Sequence, residues 1–172
     1  NPVWHIHNGA PSADSTPISF NILLNLVGAC NTEDKSVLWG FISRYAPDAT
    51  PESHPSLDGL VGYAIRYYQD FVKPTKQYRA PNDVERQAIT SLIDALSALA
   101  DDVEAQDIQT QVYEVGKTFG FDPLRDWFKA LYEILFGQSQ GPRMGSFIAL
   151  YGVEESIALM RRALTDEGLG AA

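Results

Sequence analysis

Apolar residues recur along most of the chain with a spacing close to three and four, which marks amphipathic or buried helices rather than strands. Thr16-Pro17 precedes Ile18-Ser19-Phe20-Asn21-Ile22-Leu23-Leu24-Asn25-Leu26-Val27, a pattern that predicts a mostly buried first helix. Asn31-Thr32-Glu33-Asp34 supplies a cap and first-turn acids for a second helix running to about Tyr45. Pro47 and Pro51 hold a loop, and Pro55-Ser56 opens a third helix through Phe71, which Pro74 stops. Lys73 to Pro81 is left as a basic connector. Asn82-Asp83-Val84-Glu85 reads as a capping box for a fourth helix to Leu99, and a fifth spans about Ala105 to Phe119 before Gly120.

Asp122-Pro123 predicts a helix start, with the cap at Asp122 and proline at the first helical position. The helix it opens, Leu124 to Phe136, sets Trp127, Leu131 and Leu135 on one face with Phe128 beside it. A Gly-rich connector, Gly137 to Gly141, leads to a short helix within Pro142 to Tyr151. Gly152 ends that helix, and Val153 to Leu164 form the last one. The tail Asp166 to Ala172 is small and reads as frayed. No stretch alternates with period two between turn signals. The expectation is an all-α fold, about eight helices around one core, with residues 1–172 as a single domain and no internal repeat.

Composition agrees: 45% hydrophobic and 20% charged residues in a 172-residue chain suit one globular domain with a real core. Ile22 to Cys30, the longest apolar stretch, is interrupted by Asn25 and falls short of the ~20 residues a membrane span needs. Asn1 to Ala10 has no secretory pattern, and the missing initiator Met makes Asn1 a boundary or processing site. The lone Cys30 excludes an internal disulfide and reads as a buried core thiol, so a cytoplasmic setting fits.

The net charge of −9 argues against nonspecific coating of nucleic acid, and neither DNA nor a membrane is an expected partner. The distribution changes the picture. Arg66, Lys73, Lys76 and Arg79 face one acid, Asp70, between positions 66 and 79. Asp94, Asp101, Asp102, Glu104 and Asp107 have no base between them. Such a polarised surface can bind a polyanion at one chosen place.

No catalytic constellation emerges. His5-Ile6-His7 with His54 lacks the spacing of a metal site, and the segment from Trp4 to Gly9 reads as packing against the first helix. There is no Gly-x-Ser-x-Gly elbow and no Gly-rich phosphate loop; Gly145-Ser146 falls inside a helix. Asp101-Asp102 and Glu154-Glu155 read as solvated charges.

Three features do suit RNA. Lys73-Pro74-Thr75-Lys76-Gln77-Tyr78-Arg79 mixes phosphate-seeking cations with an aromatic that can stack on a base. Arg44-Tyr45 repeats the pairing at the end of the second helix. Gly137-Gln138-Ser139-Gln140-Gly141-Pro142-Arg143 offers flexible backbone, amides and an arginine able to reach base edges. Each also has a plain structural reading: cations at helix ends complement the helix dipole, and Tyr45 or Tyr78 can cap the core.

The stretch from Gly137 through Met144-Gly145-Ser146-Phe147-Ile148-Ala149-Leu150-Tyr151-Gly152 resembles the C-terminal signature of class I lysyl-tRNA synthetases, the archaeal-type enzymes also found in some bacteria. His5-Ile6-His7-Asn8-Gly9, Ile18-Ser19-Phe20, Leu23-Leu24-Asn25-Leu26-Val27 and Val37-Leu38-Trp39-Gly40-Phe41-Ile42 agree with that family. So do Leu60-Val61-Gly62-Tyr63-Ala64 and Phe71-Val72-Lys73-Pro74-Thr75-Lys76. The resemblance spans nearly the whole chain; Ala88 to Asp122 carries no signature of it and is short before Trp127.

The resemblance implies the C-terminal helical-cage domain, similar in role to the anticodon-binding part of glutamyl-tRNA synthetases. The family's Rossmann-type catalytic domain, with its HIGH-like and KMSKS-like motifs, is absent from this chain, and His5-Ile6-His7-Asn8 is not the first of them. ATP would therefore be used by that N-terminal domain, with no cofactor or metal held here. The implied partners are that catalytic domain and the largely uridine anticodon loop of lysine tRNA. Uracil offers two carbonyl acceptors and one N–H donor. On that chemistry Arg143 is expected at a base or phosphate, with Gln138 and Gln140 as amide readers. Lys73, Lys76, Arg79 and Arg44 are expected at phosphates, and Tyr78 as a stacking ring. Trp127 is expected in the core. A helical protein-interaction module without RNA binding, docking a basic partner on the acidic face, is the alternative; it requires an exposed apolar groove.

Overall fold

The computed structural model describes residues 18–165 and is all-helical over them. The eight α-helices are α1 (Phe20–Cys30), α2 (Lys35–Tyr45), α3 (Pro55–Tyr67), α4 (Asp83–Ser97), α5 (Ala105–Thr118), α6 (Arg125–Leu135), α7 (Met144–Tyr151) and α8 (Val153–Ala163). The His5-Ile6-His7 pair, the Trp4 segment, Thr16-Pro17 and the tail from Asp166 lie outside the described residues.

Local chemistry sets most helix ends. Ser19 caps α1 by accepting from the Ile22 N–H at 3.2 Å, so the first helix starts at Phe20 and not at Ile18. Asn31 takes a left-handed conformation and its N–H closes α1 on the Val27 carbonyl at 2.9 Å. The start of α2 is left to Asp34, which accepts from Ser36 N–H at 2.9 Å. The capping box on α4 forms as expected: Asn82 Oδ1 accepts from Glu85 N–H at 2.8 Å, and Glu85 Oε1 accepts from Asn82 N–H at 3.0 Å.

Two expected boundaries are corrected. The third helix does not stay α-helical to Phe71: α3 ends at Tyr67, loosens into a π turn over Tyr68–Val72, and tightens into a 3-10 turn over Lys73–Thr75. Pro74 explains the change, since it has no N–H to donate and its ring crowds the carbonyl four residues back. Asp122-Pro123 does not open α6 as cap and first residue. That bond is cis, and the Pro123 and Leu124 carbonyls accept from Asp126 and Trp127 at 3.0 Å in tight turns, so the helix begins at Arg125.

The helices enclose one core. Trp127 is fully buried, and its indole N–H donates to the Val112 carbonyl at 2.9 Å, tying α6 to α5. Leu131, Ile134 and Leu135 bury the same face of α6. α5 and α7 approach closely because Gly145 lies against the α5 backbone; a Cβ there would sit 2.9 Å from Gln109 N and collide with the Ala105 carbonyl. The Gly145 N–H donates to Gln109 Oε1 at 2.6 Å. Gly145-Ser146 is thus a packing feature. Cys30 is half-buried, and burial pushes its thiol up to about 11. None of the described helices is long and apolar enough to cross a membrane.

Candidate nucleic-acid interface

The two connectors singled out in the sequence meet. The Gln77 N–H donates to the Gly137 carbonyl at 2.9 Å, pinning the Lys73–Arg79 segment to the start of the Gly-rich connector. Gly137 has φ +68°, where a side chain is strained, and a Cβ there would come 3.2 Å from the Tyr78 ring, which would have to give by a few tenths of an ångström. Gln77, Tyr78, Arg79, Glu133, Gln138 and Ser139 then line one shallow cleft of about 540 Å³. Gln138 is half-buried there, and the Ser139 and Gln140 side chains beyond it are exposed.

The basic residues of the first connector are less free than their sequence suggests. Arg79 donates from Nη1 and Nη2 to both carboxylate oxygens of Glu85 at 2.6 and 2.8 Å, and from Nε to Glu133 at 2.9 Å. It joins the connector to α4 and α6 as a structural fork, with its guanidinium turned to protein carboxylates. Those bonds, the Glu85 pair first, raise its pKa, and they hold Glu85 below the usual carboxylate range against the opposing effect of burial.

Lys76 is half-buried. Its ammonium donates to the Tyr78 hydroxyl at 2.9 Å and lies 4.9 Å from the Tyr68 ring centroid and 5.2 Å from that of Tyr78. Burial lowers its pKa to about 8. Tyr78 is wedged between Lys76 and Gly137, its hydroxyl pushed up to about 12 by burial, so it acts first as a packing ring. Lys73 is exposed and lines a neighbouring cleft with Lys76, Tyr68 and Arg162.

Arg44 and Arg143 sit elsewhere. Arg44 pairs with Glu155 at 2.9 Å, donates to the Tyr151 carbonyl at 2.6 Å and stacks over Phe41. With Tyr45 it lines a cleft shared with Asp101 and Glu104, an acidic setting for a phosphate ligand. Arg143 is exposed at the start of α7 and donates to Gln106 Oε1 at 2.7 Å; Gln106 lines that same cleft.

A second cleft, about 730 Å³, runs along α6 beside the Gly-rich connector, lined by Arg125, Phe128, Lys129, Tyr132, Ser139 and Gln140. Ser139 belongs to both clefts, which makes them neighbours. Arg125 and Lys129 are not among the residues the sequence predicts for RNA, since the spacing of α6 declares its apolar face. The available signal was two cations one turn apart on the opposite face. Among the described residues, no three His, Cys, Asp or Glu side chains gather as a metal site would require.

No protein-family model matches the chain, and no solved structure does. Curated bacterial proteins do. A lysine--tRNA ligase of Roseobacter denitrificans is 53% identical over 97% of the chain, and the match covers 32% of that protein. The lysine--tRNA ligases of Rickettsia felis and Rickettsia bellii are each 49% identical over 95% of the chain, which covers 31% and 32% of them. The chain spans about a third of the length of these relatives. Over nearly its entire length, this chain, all-helical in its described residues, is therefore similar to one segment of bacterial lysine--tRNA ligases.

Proposed function

We propose that the chain is the anticodon-gripping helical part of a cytoplasmic lysine-tRNA ligase of the class I type. In this reading it is not catalytic alone. The remainder of the ligase activates lysine with ATP and joins it to the tRNA, and this part takes the anticodon loop of lysine tRNA. The names of the relatives support the enzyme. The observation that carries the site is the Gln77–Gly137 backbone bond, which brings the Gln77, Gln138 and Ser139 polar groups to one concave surface. Splayed loop bases are recognised by such amide and backbone groups along their Watson–Crick edges. Gln138 and Gln140 are the proposed readers, and Lys73 and Arg143 the outlying contacts to RNA. Arg79, Lys76 and Tyr78 serve that surface by holding its shape, while Arg44 is engaged at the separate acidic cleft.

The test is binding of the chain to lysine tRNA at low and moderate salt, beside a transcript with an altered anticodon. Preference for the lysine anticodon, lost in Gln138→Ala or Arg143→Ala, supports the reading. Equal binding to both transcripts reduces the surface to an electrostatic grip.

A second reading, a protein-docking module, is favoured by one observation. Tyr63 and Phe71 are 50% and 62% exposed, and they flank Tyr67 at centroid distances of 6.0 and 5.0 Å, with Phe20 stacked on Tyr63. Exposed aromatic stripes of this kind suit partner surfaces. Absence of tRNA binding even at low salt moves this reading ahead.

A further inference from the structure

Arg125 and Lys129 share with Arg66, Lys73, Lys117 and Arg161 the lack of a carboxylate partner among the described residues, but these two line one cleft together. Lys35, Arg44 and Arg79 are each committed to a carboxylate. Arg125 and Lys129 make no ion pair and no side-chain hydrogen bond among the described residues, although the chain carries 22 acids for 13 bases. They lie four positions apart on α6, so the two side chains neighbour each other on its surface. Both line the same cleft, where Asp126 is the one acid.

Hydrogen bonds and close packing within the protein tie the walls of that cleft together. The Tyr132 hydroxyl donates to the Pro142 carbonyl at 2.8 Å, and Asn21 Nδ2 donates to the Gly141 carbonyl at 3.2 Å. Gly141 rests on the Tyr132 ring so closely that a Cβ would lie 2.5–3.0 Å from the ring carbons. Phe128, braced edge-on by Tyr113 at 5.2 Å, completes an aromatic floor. The result is two unneutralised cations held beside half-buried rings and the exposed Gln140 amide. Ser139 then leads into the cleft that contains Gln77 and Gln138.

We propose that the Arg125–Lys129 cleft seats two consecutive phosphates of a single-stranded RNA loop. The backbone passes Ser139 so that the next base enters the Gln77–Gln138 cleft. The chemistry is that of a polyanion track with a polar reading pocket at its end. This inference rests on the anticodon-loop reading above and adds to it the path of the backbone.

Each phosphate contact on single-stranded RNA contributes about 0.7 to the slope of log K against log salt. Removing two contacts should lower that slope by about 1.4. Counted from 1 M salt, where such contacts contribute little, the loss is roughly 25-fold in affinity at 0.1 M. The experiment is a salt series of lysine tRNA binding to the chain and to the Arg125→Gln/Lys129→Gln double variant. Asp126→Asn serves as a control of opposite sign, and circular dichroism checks that each variant is folded.

The expected result is a lowered slope in the double variant, equal weakening for lysine tRNA and for the altered-anticodon transcript, and several-fold tighter binding by Asp126→Asn. An unchanged slope in a folded variant that still binds, or tighter binding missing in Asp126→Asn, overturns the proposal and leaves the anticodon reading intact. A change in anticodon preference without a change in slope overturns it too, since phosphate contacts carry no sequence information. No binding by the unaltered chain at low salt fails the anticodon reading itself, and this inference with it.

Discussion

Replacing Arg79 by alanine should destabilise the whole domain, because it cuts a fork that joins three parts of the chain. Glu85 is the buried end: its side chain keeps only 8% of its exposure and accepts 2.6 and 2.8 Å bonds from Arg79. Its remaining partner is the Asn82 N–H at 3.0 Å. Without Arg79, a carboxylate would stay buried on one neutral hydrogen bond. Truncating one member of a buried pair costs about 3–5 kcal/mol. The Arg79 side chain is 39% exposed, so water screens part of that interaction, and about 2–3 kcal/mol is the better figure. For a chain of this size each kcal/mol moves Tm by about 2–4 °C, so Arg79→Ala should melt roughly 5–10 °C below the parent at pH 7.

The same pair predicts a pH dependence. The carboxyl of Glu85 titrates lower in the folded protein than in the unfolded chain, with the Arg79 bonds as the main cause. Its stabilisation is therefore complete above the unfolded value near 4.3 and is lost as pH falls through the lower folded value. Thermal melts of parent and Arg79→Ala from pH 7 down to pH 3 should converge at the acid end. Arg79→Lys should recover only part of the loss, since an ammonium cannot match a guanidinium donating to Glu85 and Glu133 at once. A melting temperature for Arg79→Ala within 2 °C of the parent at pH 7, or a gap that widens with acid, refutes this account of the fork.

Three further outcomes are expected. Gly145→Ala should cost about 2–3 kcal/mol in chemical denaturation, because its Cβ would press on α5 backbone at Ala105 and Gln109 instead of on a movable side chain. Lys76 titrates at about 8 when folded and near 10.4 when unfolded, so the parent should gain stability relative to Lys76→Met as pH rises from 7.5 to 10; parallel curves would show that burial does not disfavour its charge. With its thiol held up to about 11, Cys30 should react with a disulfide reagent at pH 8 at least tenfold more slowly in the native protein than in urea, a difference read from absorbance.

What the sequence disclosed, and what it hid, follows from the range of each interaction. Asn82 and Glu85 are three residues apart, so their capping box is complete within one turn and legible without the rest of the fold. The buried face of α6 was legible for the same reason: Trp127, Leu131 and Leu135 declare it by spacing alone. The Asp122-Pro123 start failed because the Pro123 and Leu124 carbonyls are taken up in tight turns by Asp126 and Trp127, so the regular helix begins at Arg125.

The candidate interface divides along the same line. Gln77 and Gly137 are drawn together across sixty positions, and the sequence marked both connectors yet had no means of joining them. Arg79 and Lys73 look alike in a string of basic residues. Their difference lies in Glu133, fifty-four positions beyond Arg79, which with Glu85 claims its guanidinium. Arg125 and Lys129 lie in a helix of mixed charge, and among the described residues no carboxylate pairs with them. Whether a cation is free to meet a phosphate is a property of the folded neighbourhood. In a chain with nine more acids than bases, the cations its own acids leave unpaired are the ones best placed to meet a polyanion. That argument ranks Arg125 and Lys129 above Arg79 and Arg44 as phosphate contacts, reversing the order that basic residues in sequence had suggested.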